Sequence, residues 1–326
     1  MNKIRRRLSG YWPLMKIGLL GLLVILLIFT SARFLRPLRQ ITRKAELRQS
    51  QGRVNVLLLG AGGSDHLGFD LTDSLIFSST DLVSGKTLLV SIPRDIWIDS
   101  MKAKINTAYH YGEEKKTGGG LTLAKAVVSE VVGQPVHYAV LLDFSGFVQA
   151  VDLVGGLEIE VERAFDDLKY PVPGKEDAEP EENRYEHLHF DAGLQQMDGE
   201  LALKYIRSRY AEGEEGTDFA RSRRQQKALL TFKDKIFSSQ TFLSLRKMKE
   251  LINIFGDSVK TDISETEYSA FLEMILKIKE SQIETVSFDG ELLFHPAKSQ
   301  YDGQWVLVPK AGNWEAVHQY VEGLIR

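Results

Sequence analysis

The amino-acid sequence predicts an α/β protein: a single layered domain with a central mixed β-sheet flanked by helices, preceded by an N-terminal transmembrane helix. Three observations support this fold class. Short apolar runs alternate with longer segments of helical periodicity. One apolar segment near the N terminus lies between two basic clusters. The chain of 326 residues is 43% hydrophobic and 26% charged, which is typical of an ordinary globular protein.

The apolar segment close to the N terminus predicts a membrane anchor. The run Ile17–Phe29 has no charged residue, but it is shorter than the roughly 20 residues that a full span needs. Lys16 and Arg33 at its ends can snorkel and lengthen it. A cleaved signal peptide is the alternative, because 30–32 form a weak small-residue cleavage site. The chain is therefore divided into a short basic cytoplasmic tail 1–13, a transmembrane anchor 14–32, a linker 33–52 and a large domain 53–326.

The distribution of charge separates the N-terminal region from the domain. The first 50 residues contain 11 Lys or Arg and one acidic residue, whereas the whole chain has 41 basic and 44 acidic residues. A basic end beside an apolar run indicates a membrane surface, so membrane lipid is an expected partner. The remaining domain is acidic, which argues against a nucleic-acid partner. The chain has no cysteine, which excludes disulfides, thiolate metal sites and a cysteine nucleophile.

Apolar runs of strand length, bounded by turn residues, define the predicted sheet. The first, VNVLLL, ends at Gly60 and is typical of a strand buried on both faces. Residues 166–192, rich in Pro, Gly, Asp and Glu, are predicted to form a long surface loop. The predicted strands are Val54–Leu59, Ser74–Ser79, Thr87–Ile92, Val136–Leu142, Leu157–Val161, Lys204–Arg209, Ile283–Phe288 and Trp305–Pro309.

Segments with helical periodicity lie between and after these strands. In the first of them, Thr122 is a capping-type residue and Gly133 a stop signal. The predicted helices are Leu121–Val132, Phe144–Leu153, Asp198–Ala202, a long helix from Phe219, Leu243–Phe255, Glu265–Lys279 and a last helix from Trp314.

A cluster of arginines is the strongest local signal for chemistry. Arg207 and Arg209 share a face if they lie on a strand. Arg221, Arg224 and Gln225 share a face of the following helix, at spacings of three and four residues. Guanidinium groups match phosphate oxygens in a bidentate geometry, so their convergence predicts an anion site. The alternative is a solvated basic helix face with salt bridges to neighbouring acids.

Two further motifs contain a carboxylate at the end of a strand. Asp73 begins a strand, and Arg94-Asp95 follows another. A carboxylate beside a pyrophosphate can hold Mg²⁺, which takes one or two carboxylates together with phosphate oxygens. The alternatives are structural: Asp73 can cap a turn, and Arg94 and Asp95 can form a surface ion pair. His187 and His189 resemble a metal pair without an evident third ligand, so a role in the loop is favoured over zinc binding.

Seven motifs occur in one order between residues 53 and 236: VNVLLLG, LTDS, LVSIPRD, KINTAYHYG, VLLDFSGFVQAVDLVGGLEIEV, MDGELALKYIRSRY and DFARSRRQQ. This order resembles the LytR-CpsA-Psr family. The resemblance implies a single-pass cell-membrane protein whose catalytic domain is extracytoplasmic. It implies an apolar cavity for a polyprenyl tail beneath a pyrophosphate site. The implied reaction transfers a glycosyl-1-phosphate from a polyprenyl-pyrophosphate-linked glycan to a peptidoglycan hydroxyl, and polyprenyl monophosphate leaves.

The resemblance also implies roles for individual residues. Asp73 is expected as the metal or base carboxylate, and Arg207 and Arg209 as the catalytic pyrophosphate clamp. Mg²⁺ is the expected cofactor, held by Asp73 and Asp65. Further pyrophosphate contacts are expected from Arg94, Arg221, Arg224, Gln225, Lys104 and Asn106.

The sequence departs from the family pattern near the expected metal site. Many relatives have an Asp after the glycine of the first strand, where this chain has Ala61-Gly62, and an Arg where it has Leu71. Asp65 or Asp70 can substitute for the missing carboxylate. Three other functions stay open: a lipid-pyrophosphate hydrolase that uses water as the acceptor, a non-catalytic scaffold that binds lipid or glycan, and a transcriptional regulator. The acidic domain and the lack of a DNA-reading motif count against the regulator.

Overall fold

The computed structural model describes residues 46–62, 70–172, 174–175, 178–236, 238–278, 283–288 and 290–326. The predicted tail and anchor, and the linker up to residue 45, lie outside these ranges. Within the ranges, no helix combines the length and the apolar character that crossing a bilayer requires. The anchor therefore stays a prediction from the sequence.

The described domain alternates strands and helices. The strands are β1 Arg53–Ala61, β2 Thr72–Asp81, β3 Thr87–Ser91, β4 Trp97–Ile98, β5 Ala103–Lys104, β6 Tyr138–Asp143, β7 Leu157–Val161, β8 Phe165–Pro171, β9 Tyr185–Phe190, β10 Gly193–Met197, β11 Val259–Thr261, β12 Ile283–Ser287, β13 Leu293–Phe294 and β14 Val308–Pro309. The α-helices are α1 Ala108–Lys115, α2 Gly120–Val132, α3 Phe144–Val154, α4 Gly199–Arg207, α5 Asp218–Ile236, α6 Ser239–Phe242, α7 Leu245–Ser258, α8 Tyr268–Lys277 and α9 Glu315–Ile325. Short 3₁₀ turns occupy Ile105–Thr107, Glu181–Arg184, Gly213–Gly216, Glu265–Glu267 and Lys298–Gln300.

A six-stranded sheet in the order β11-β6-β1-β2-β3-β12 forms the centre of the domain. Strand β1 pairs antiparallel with β2 and parallel with β6, and β3 pairs parallel with β12. The sheet is therefore mixed, and the predicted α/β fold class is confirmed. The carboxyl ends of β1, β3, β6 and β12 and the amino end of β2 meet at one edge. In α/β proteins such an edge commonly holds the ligand site.

Both faces of the sheet are covered by helices. On one face, Leu57 and Phe77 pack in a cluster with residues of α1, α2 and α9. On the other face, Val56 and Tyr138 pack against α8, where the rings of Tyr138 and Phe271 meet edge to face at 4.6 Å. Burial on both faces explains why the sequence of β1 is almost continuously apolar.

A second apolar cluster adjoins the edge of the sheet where the strands end. It joins α3, α4, α5 and α7 to the two-stranded ribbons β7–β10 and β8–β9. Phe147, Phe232 and Phe255 lie at its centre, and Phe190 stacks on Phe165 with ring centroids 5.0 Å apart. This cluster supports the helices that face the edge of the sheet.

Two predicted segments have a different structure. The predicted strand Lys204–Arg209 is wrong, because its first part belongs to helix α4. Asp198 caps that helix by accepting a hydrogen bond from Leu201 N at 2.8 Å, and the good helix formers that follow continue it to Arg207. Residues 166–192 are not a long loop, since β8 and β9 pair in a hairpin within them.

Candidate active site

Two arginines from distant parts of the chain meet at Asp73. Asp73 is the second residue of β2, and Arg94 follows β3, so both lie at the same edge of the sheet. Arg94 Nη1 donates a hydrogen bond to Asp73 Oδ1. Arg207 Nη2, at the end of α4, donates to Asp73 Oδ2 at 3.3 Å. The carboxylate therefore ties two elements of the pocket together.

The electrostatic environment keeps Asp73 ionised. Burial alone would raise the pKa of its carboxyl group, because a charged group is less stable away from water. The guanidinium groups of Arg94, Arg207 and Arg221 act in the opposite direction, and the net result is a pKa below the ordinary value for aspartate. Asp73 is thus an ionised carboxylate at neutral pH and a poor proton acceptor.

Arg209 is held by a second carboxylate, Asp95. Its Nη2 donates to Asp95 Oδ2 at 3.1 Å, and Lys104 Nζ donates to Asp95 Oδ1 at 2.7 Å. Arg94 Nε lies 3.7 Å from Asp95 Oδ2, so the ion pair named as the structural alternative is present. Asp95 is only 3% exposed, so this pair is largely buried and does not lie at the surface. The backbone next to Asp95 is held by a parallel bridge between Ile96 and Leu307, and Leu307 N donates to Asp95 O at 2.9 Å.

Helix α5 directs Arg221 and Gln225 into the same pocket. Gln225 Oε1 accepts a hydrogen bond from Ser74 Oγ at 3.2 Å, and Arg221 lies on the pocket wall. The pocket thus contains four guanidinium groups, those of Arg94, Arg207, Arg209 and Arg221. The convergence of the two arginine motifs favours an anion site over a solvated helix face.

Arg224 does not share this face, which corrects its predicted place at the pyrophosphate. It is 3% exposed, and it donates to the carbonyl oxygens of Tyr205 and Ser208 at 3.0 and 2.6 Å and to Glu215. Residues in a helix advance by about 100°, so Gln225 lies about 40° from Arg221, while Arg224 lies about 60° away on the other side. The spacing of three and four residues therefore placed on one face residues that lie on two different flanks of the helix.

Lys104 and Asn106 lie behind the pocket rather than in its wall. Lys104 contacts Asp95, as described above. The backbone of Asn106 links β2 to the turn after β3, since its carbonyl oxygen accepts from Thr72 Oγ1 at 3.1 Å and its N–H donates to Arg94 O at 3.3 Å. Both residues support pocket residues instead of lining the pocket. Asp65 lies outside the described residues.

An apolar cavity of about 100 Å³ continues from the arginine pocket. It lies between the sheet, which contributes Leu58, Ile76 and Val140, and the helices, which contribute Phe147 and Ile206 among others. Arg207 and Gln225 line both the arginine pocket and the apolar cavity. The guanidinium of Arg207 lies 5.2 Å from the ring of Phe144 at this junction. The site can therefore accommodate an anionic group joined to a hydrocarbon chain.

The residues of the pocket fit one mode of magnesium binding. Among the described residues, no group of three or more His, Cys, Asp or Glu is arranged to hold a metal ion. Asp73 is nevertheless an ionised carboxylate in the pocket, and Mg²⁺ often takes one carboxylate together with phosphate oxygens and water. Asp70, a possible substitute ligand, contacts His110 Nδ1 at 2.6 Å instead. His187 and His189 both contact Asp166 on the hairpin β8–β9.

Comparison with known proteins agrees with the fold. A family model for the LytR_cpsA_psr family matches residues 32–322. The chain belongs to the LytR_cpsA_psr family. It is 29% identical over 285 residues to the polyisoprenyl-teichoic acid–peptidoglycan teichoic acid transferase TagU of Oceanobacillus iheyensis, and the match covers 80% of this chain and 79% of that relative. The resemblance inferred from the seven motifs is confirmed.

Solved structures of the LytR_cpsA_psr family share this architecture. The crystal structure of B. subtilis TagV matches with a TM-score of 0.58 at 25% identity, covering 85% of this chain and 98% of TagV. A structure of TagT bound to LIIa-WTA matches with a TM-score of 0.56 at 22% identity, covering 86% and 94% of the two chains, and shows the shared fold. The relatives are transferases by name, so the prediction of a transferase is confirmed at that level.

Two residues of the site were missed or misjudged in the sequence. Asp95 was noted beside Arg94, but nothing in the local sequence indicated that it is buried. Asp167, which also lines the pocket, lies in the acidic stretch predicted as a loop and had no signal of its own. Both carboxylates contact Arg209, which is distant from each of them in the sequence, so local patterns contain no information about these contacts.

Proposed function

We propose that the protein transfers a glycan-1-phosphate from a polyprenyl-pyrophosphate carrier to a hydroxyl group of cell-wall peptidoglycan and releases polyprenyl phosphate. The relative TagU is named for a transfer of this kind. In this proposal the first 32 residues anchor the protein in the cell membrane, with the domain on the outer side. The glycan itself is not specified by the pocket.

The junction between the arginine pocket and the apolar cavity carries this proposal. A polyprenyl pyrophosphate has a strongly anionic group attached to a long hydrocarbon chain. Arg207 and Gln225 border both parts of the site, so one ligand can place its pyrophosphate among the arginines and the first part of its tail in the cavity. Burial of the tail contributes about 0.8 kcal/mol for each CH₂ removed from water.

The charge of the pocket suits a pyrophosphate. Among the residues that the structure describes, four arginines and two aspartates border it, a formal difference of two positive charges. The domain as a whole is acidic, so this local excess is a specific feature of the site. Guanidinium groups in a partly buried site bind phosphate oxygens strongly and stabilise charge that develops during transfer.

The reaction exchanges one phosphorus–oxygen bond for another. The oxygen of the acceptor hydroxyl attacks the phosphorus that bears the glycan, and the bond from that phosphorus to the bridging oxygen breaks. The bridging oxygen leaves with polyprenyl phosphate, and the hydroxyl proton passes to solvent. Phosphoryl transfer depends mainly on positioning and charge stabilisation. Arg207 and Arg209 would hold the pyrophosphate, and no covalent enzyme intermediate is needed.

Asp73 has two roles in the proposal. Its low pKa makes it a poor proton acceptor, so it would orient the acceptor hydroxyl or hold Mg²⁺ rather than act as a general base. A bound Mg²⁺ would neutralise charge on the pyrophosphate and on the leaving phosphate. Asp65 stays a second predicted ligand.

The experiment is a transfer assay with full-length protein in detergent, a lipid-pyrophosphate-linked glycan and peptidoglycan. In Arg207→Ala we expect the rate to fall by at least about 10²-fold, because the pyrophosphate loses a charged donor. Arg223→Ala is the matched control, since Arg223 lies on α5 near Glu215 and outside the pocket wall. Equal rates in Arg207→Ala and Arg223→Ala would contradict the proposal.

The same assay separates the alternative functions. A hydrolase would release polyprenyl phosphate at the same rate with and without peptidoglycan. A scaffold would bind the lipid and release nothing. The proposed transferase releases polyprenyl phosphate and attaches the glycan in equal amounts.

A further inference from the structure

Asp167 is a buried carboxylate for which the reaction described above has no role. It lies in β8, is one of the residues that border the pocket, and has 0% exposure to solvent. Burial of a charged group is unfavourable unless hydrogen bonds or opposite charges compensate it. The partners of Asp167 therefore indicate what it contributes.

Both oxygens of Asp167 accept hydrogen bonds. Oδ2 accepts from Ser208 Oγ at 2.6 Å, from Arg209 N at 3.0 Å and from Tyr210 N at 3.2 Å. Oδ1 accepts from Lys169 N at 3.0 Å within its own strand. Three of the four donors belong to the segment that leaves helix α4, which makes Asp167 an anchor for that segment.

The segment Ser208–Tyr210 needs such an anchor. At Ser208 the backbone turns out of the helix, with φ −52° and ψ 132°. The segment joins no sheet of the described domain, and the neighbouring Ala211 forms a single bridge with Asp167. Arg224 holds the opposite side by donating to Ser208 O at 2.6 Å. The backbone of Arg209 is thus fixed by a buried anion on one side and a buried cation on the other.

We propose that Asp167 is a positioning residue that holds the backbone of Arg209 so that its guanidinium faces the pyrophosphate. The inference rests on the proposed function for the identity of the ligand. The chain of contacts runs from Asp167 to Arg209 N, and from the Arg209 side chain to Asp95 at 3.1 Å. An Asn at 167 would keep the shape but place an amide N–H₂ group against N–H and O–H donors.

A double-mutant cycle on pyrophosphate binding tests the proposal with full-length protein in detergent. The probe is inorganic pyrophosphate, and its Kd is measured by calorimetry for Asp167→Asn, Arg209→Ala and the double variant. We expect each single change to raise Kd by about tenfold, as for coupled polar neighbours. If Asp167 acts through Arg209, the double variant binds no more weakly than Arg209→Ala. The proposal would be overturned if the Kd of the double variant rose by the product of the two single increases. It would also be overturned by an unchanged Kd in Asp167→Asn.

Asp166→Asn is the matched control. Asp166 is the exposed neighbour of Asp167 in β8 and contacts His187 and His189 instead of the segment after α4. The Kd of the Asp166→Asn variant for pyrophosphate is therefore expected to equal that of the wild type. If Asp167→Asn does not fold, Ser208→Ala carries the test. Ser208→Ala removes the 2.6 Å hydrogen bond and keeps the carboxylate, and we expect it to raise the Kd for pyrophosphate about threefold. Combined with Arg209→Ala, it is expected to bind no more weakly than Arg209→Ala alone. An unchanged Kd in a folded Ser208→Ala variant would overturn the proposal.

These experiments test pyrophosphate binding and glycan transfer separately, so a negative result in one does not decide the other. A wild-type protein that binds pyrophosphate and transfers no glycan would refute the proposed function and leave the role of Asp167 intact. A wild-type protein that does not bind pyrophosphate would overturn the positioning role, whatever its activity.

Discussion

Asp73 is the residue on which the pocket depends for its shape in the absence of a ligand. It contacts Arg94 and Arg207, which come from a loop after β3 and from the end of α4. Without the carboxylate, these two guanidinium groups would repel each other across the pocket. In the proposed function, a bound pyrophosphate would supply the same compensation.

The pH dependence of stability provides a test of the role of Asp73. Its folded pKa is lowered, so its contribution to stability is present above the unfolded pKa and is lost as the pH falls through the folded pKa. We expect the difference in free energy of unfolding between wild type and Asp73→Asn to be constant from neutral pH to about pH 5 and to shrink below about pH 4. Urea denaturation at several pH values measures it. A difference that grows with acidity would contradict this assignment.

Helix α5 shows how one element can serve both binding and stability. Arg221 and Gln225 face the pocket, while Arg224 on the adjacent flank binds backbone carbonyl oxygens of α4 and the residue after it. The helix therefore connects the pyrophosphate pocket to the segment that carries Arg207 and Arg209. A change at Arg221 or Gln225 should therefore affect ligand binding, whereas a change at Arg224 should affect stability.

Arg224→Ala is predicted to reduce stability rather than to remove a ligand contact. Truncation leaves the carbonyl oxygens of Tyr205 and Ser208 without this donor and Glu215 without its buried partner. We expect a loss of about 3 kcal/mol in the free energy of unfolding. Chemical denaturation measures this change, with Arg223→Ala as the control on the exposed side. A variant that is as stable as the wild type but binds pyrophosphate more weakly would restore Arg224 as a ligand.

The sequence was sufficient for elements whose pattern is set locally. The strand β1 is apolar at nearly every position because both of its faces are buried, and Gly133 ends α2 in a left-handed conformation with φ 68°. Helix α1 was not predicted, because its sequence AYHYGEEK has weak helical periodicity and contains Gly112. That glycine is required by the close approach of Gly119, whose carbonyl oxygen lies 2.6 Å from the position of an added Cβ.

The candidate site was predicted where a motif had a chemical meaning of its own. Arg207, Arg209, Arg221 and Asp73 were selected because guanidinium and carboxylate groups at strand and helix ends indicate phosphate chemistry. Asp167 was not selected, and Asp95 was noted beside Arg94 but not as a partner of Arg209, since the contacts of these carboxylates to Arg209 cross 42 and 114 residues of sequence. Whether a carboxylate is buried beside such a partner depends on tertiary packing, which the local pattern does not encode.

At the scale of the whole molecule, a polar pocket and an apolar cavity adjoin each other at one edge of the central sheet. The polar pocket contains the ends of β2, α4 and α5, and the apolar cavity lies between the sheet and the helices of the second cluster. In the proposed function, this arrangement would let one domain hold both the charged and the hydrocarbon part of a lipid. The proposed anchor would keep the domain at the membrane where such a lipid is found.

Magnesium removal tests the proposed cofactor. Chelation with EDTA is expected to lower the transfer rate, and added Mg²⁺ to restore it, because a divalent cation neutralises charge on the pyrophosphate. In Asp73→Asn the residual rate should respond weakly to Mg²⁺, since the carboxylate that would hold the ion is lost. Transfer that is insensitive to EDTA in the wild type would remove magnesium from the mechanism.

The central claim is that the arginine pocket and the apolar cavity together hold one amphiphilic ligand. Mass spectrometry of the lipids extracted from full-length protein purified from bacterial membranes tests it most directly. For the wild type we expect polyprenyl phosphate or pyrophosphate, at a level that falls sharply in the Arg207→Ala, Arg209→Ala double variant and is unchanged in Arg223→Ala. A folded wild-type protein that contains no polyprenyl lipid, and takes up none when carrier lipid and Mg²⁺ are added, would contradict the claim.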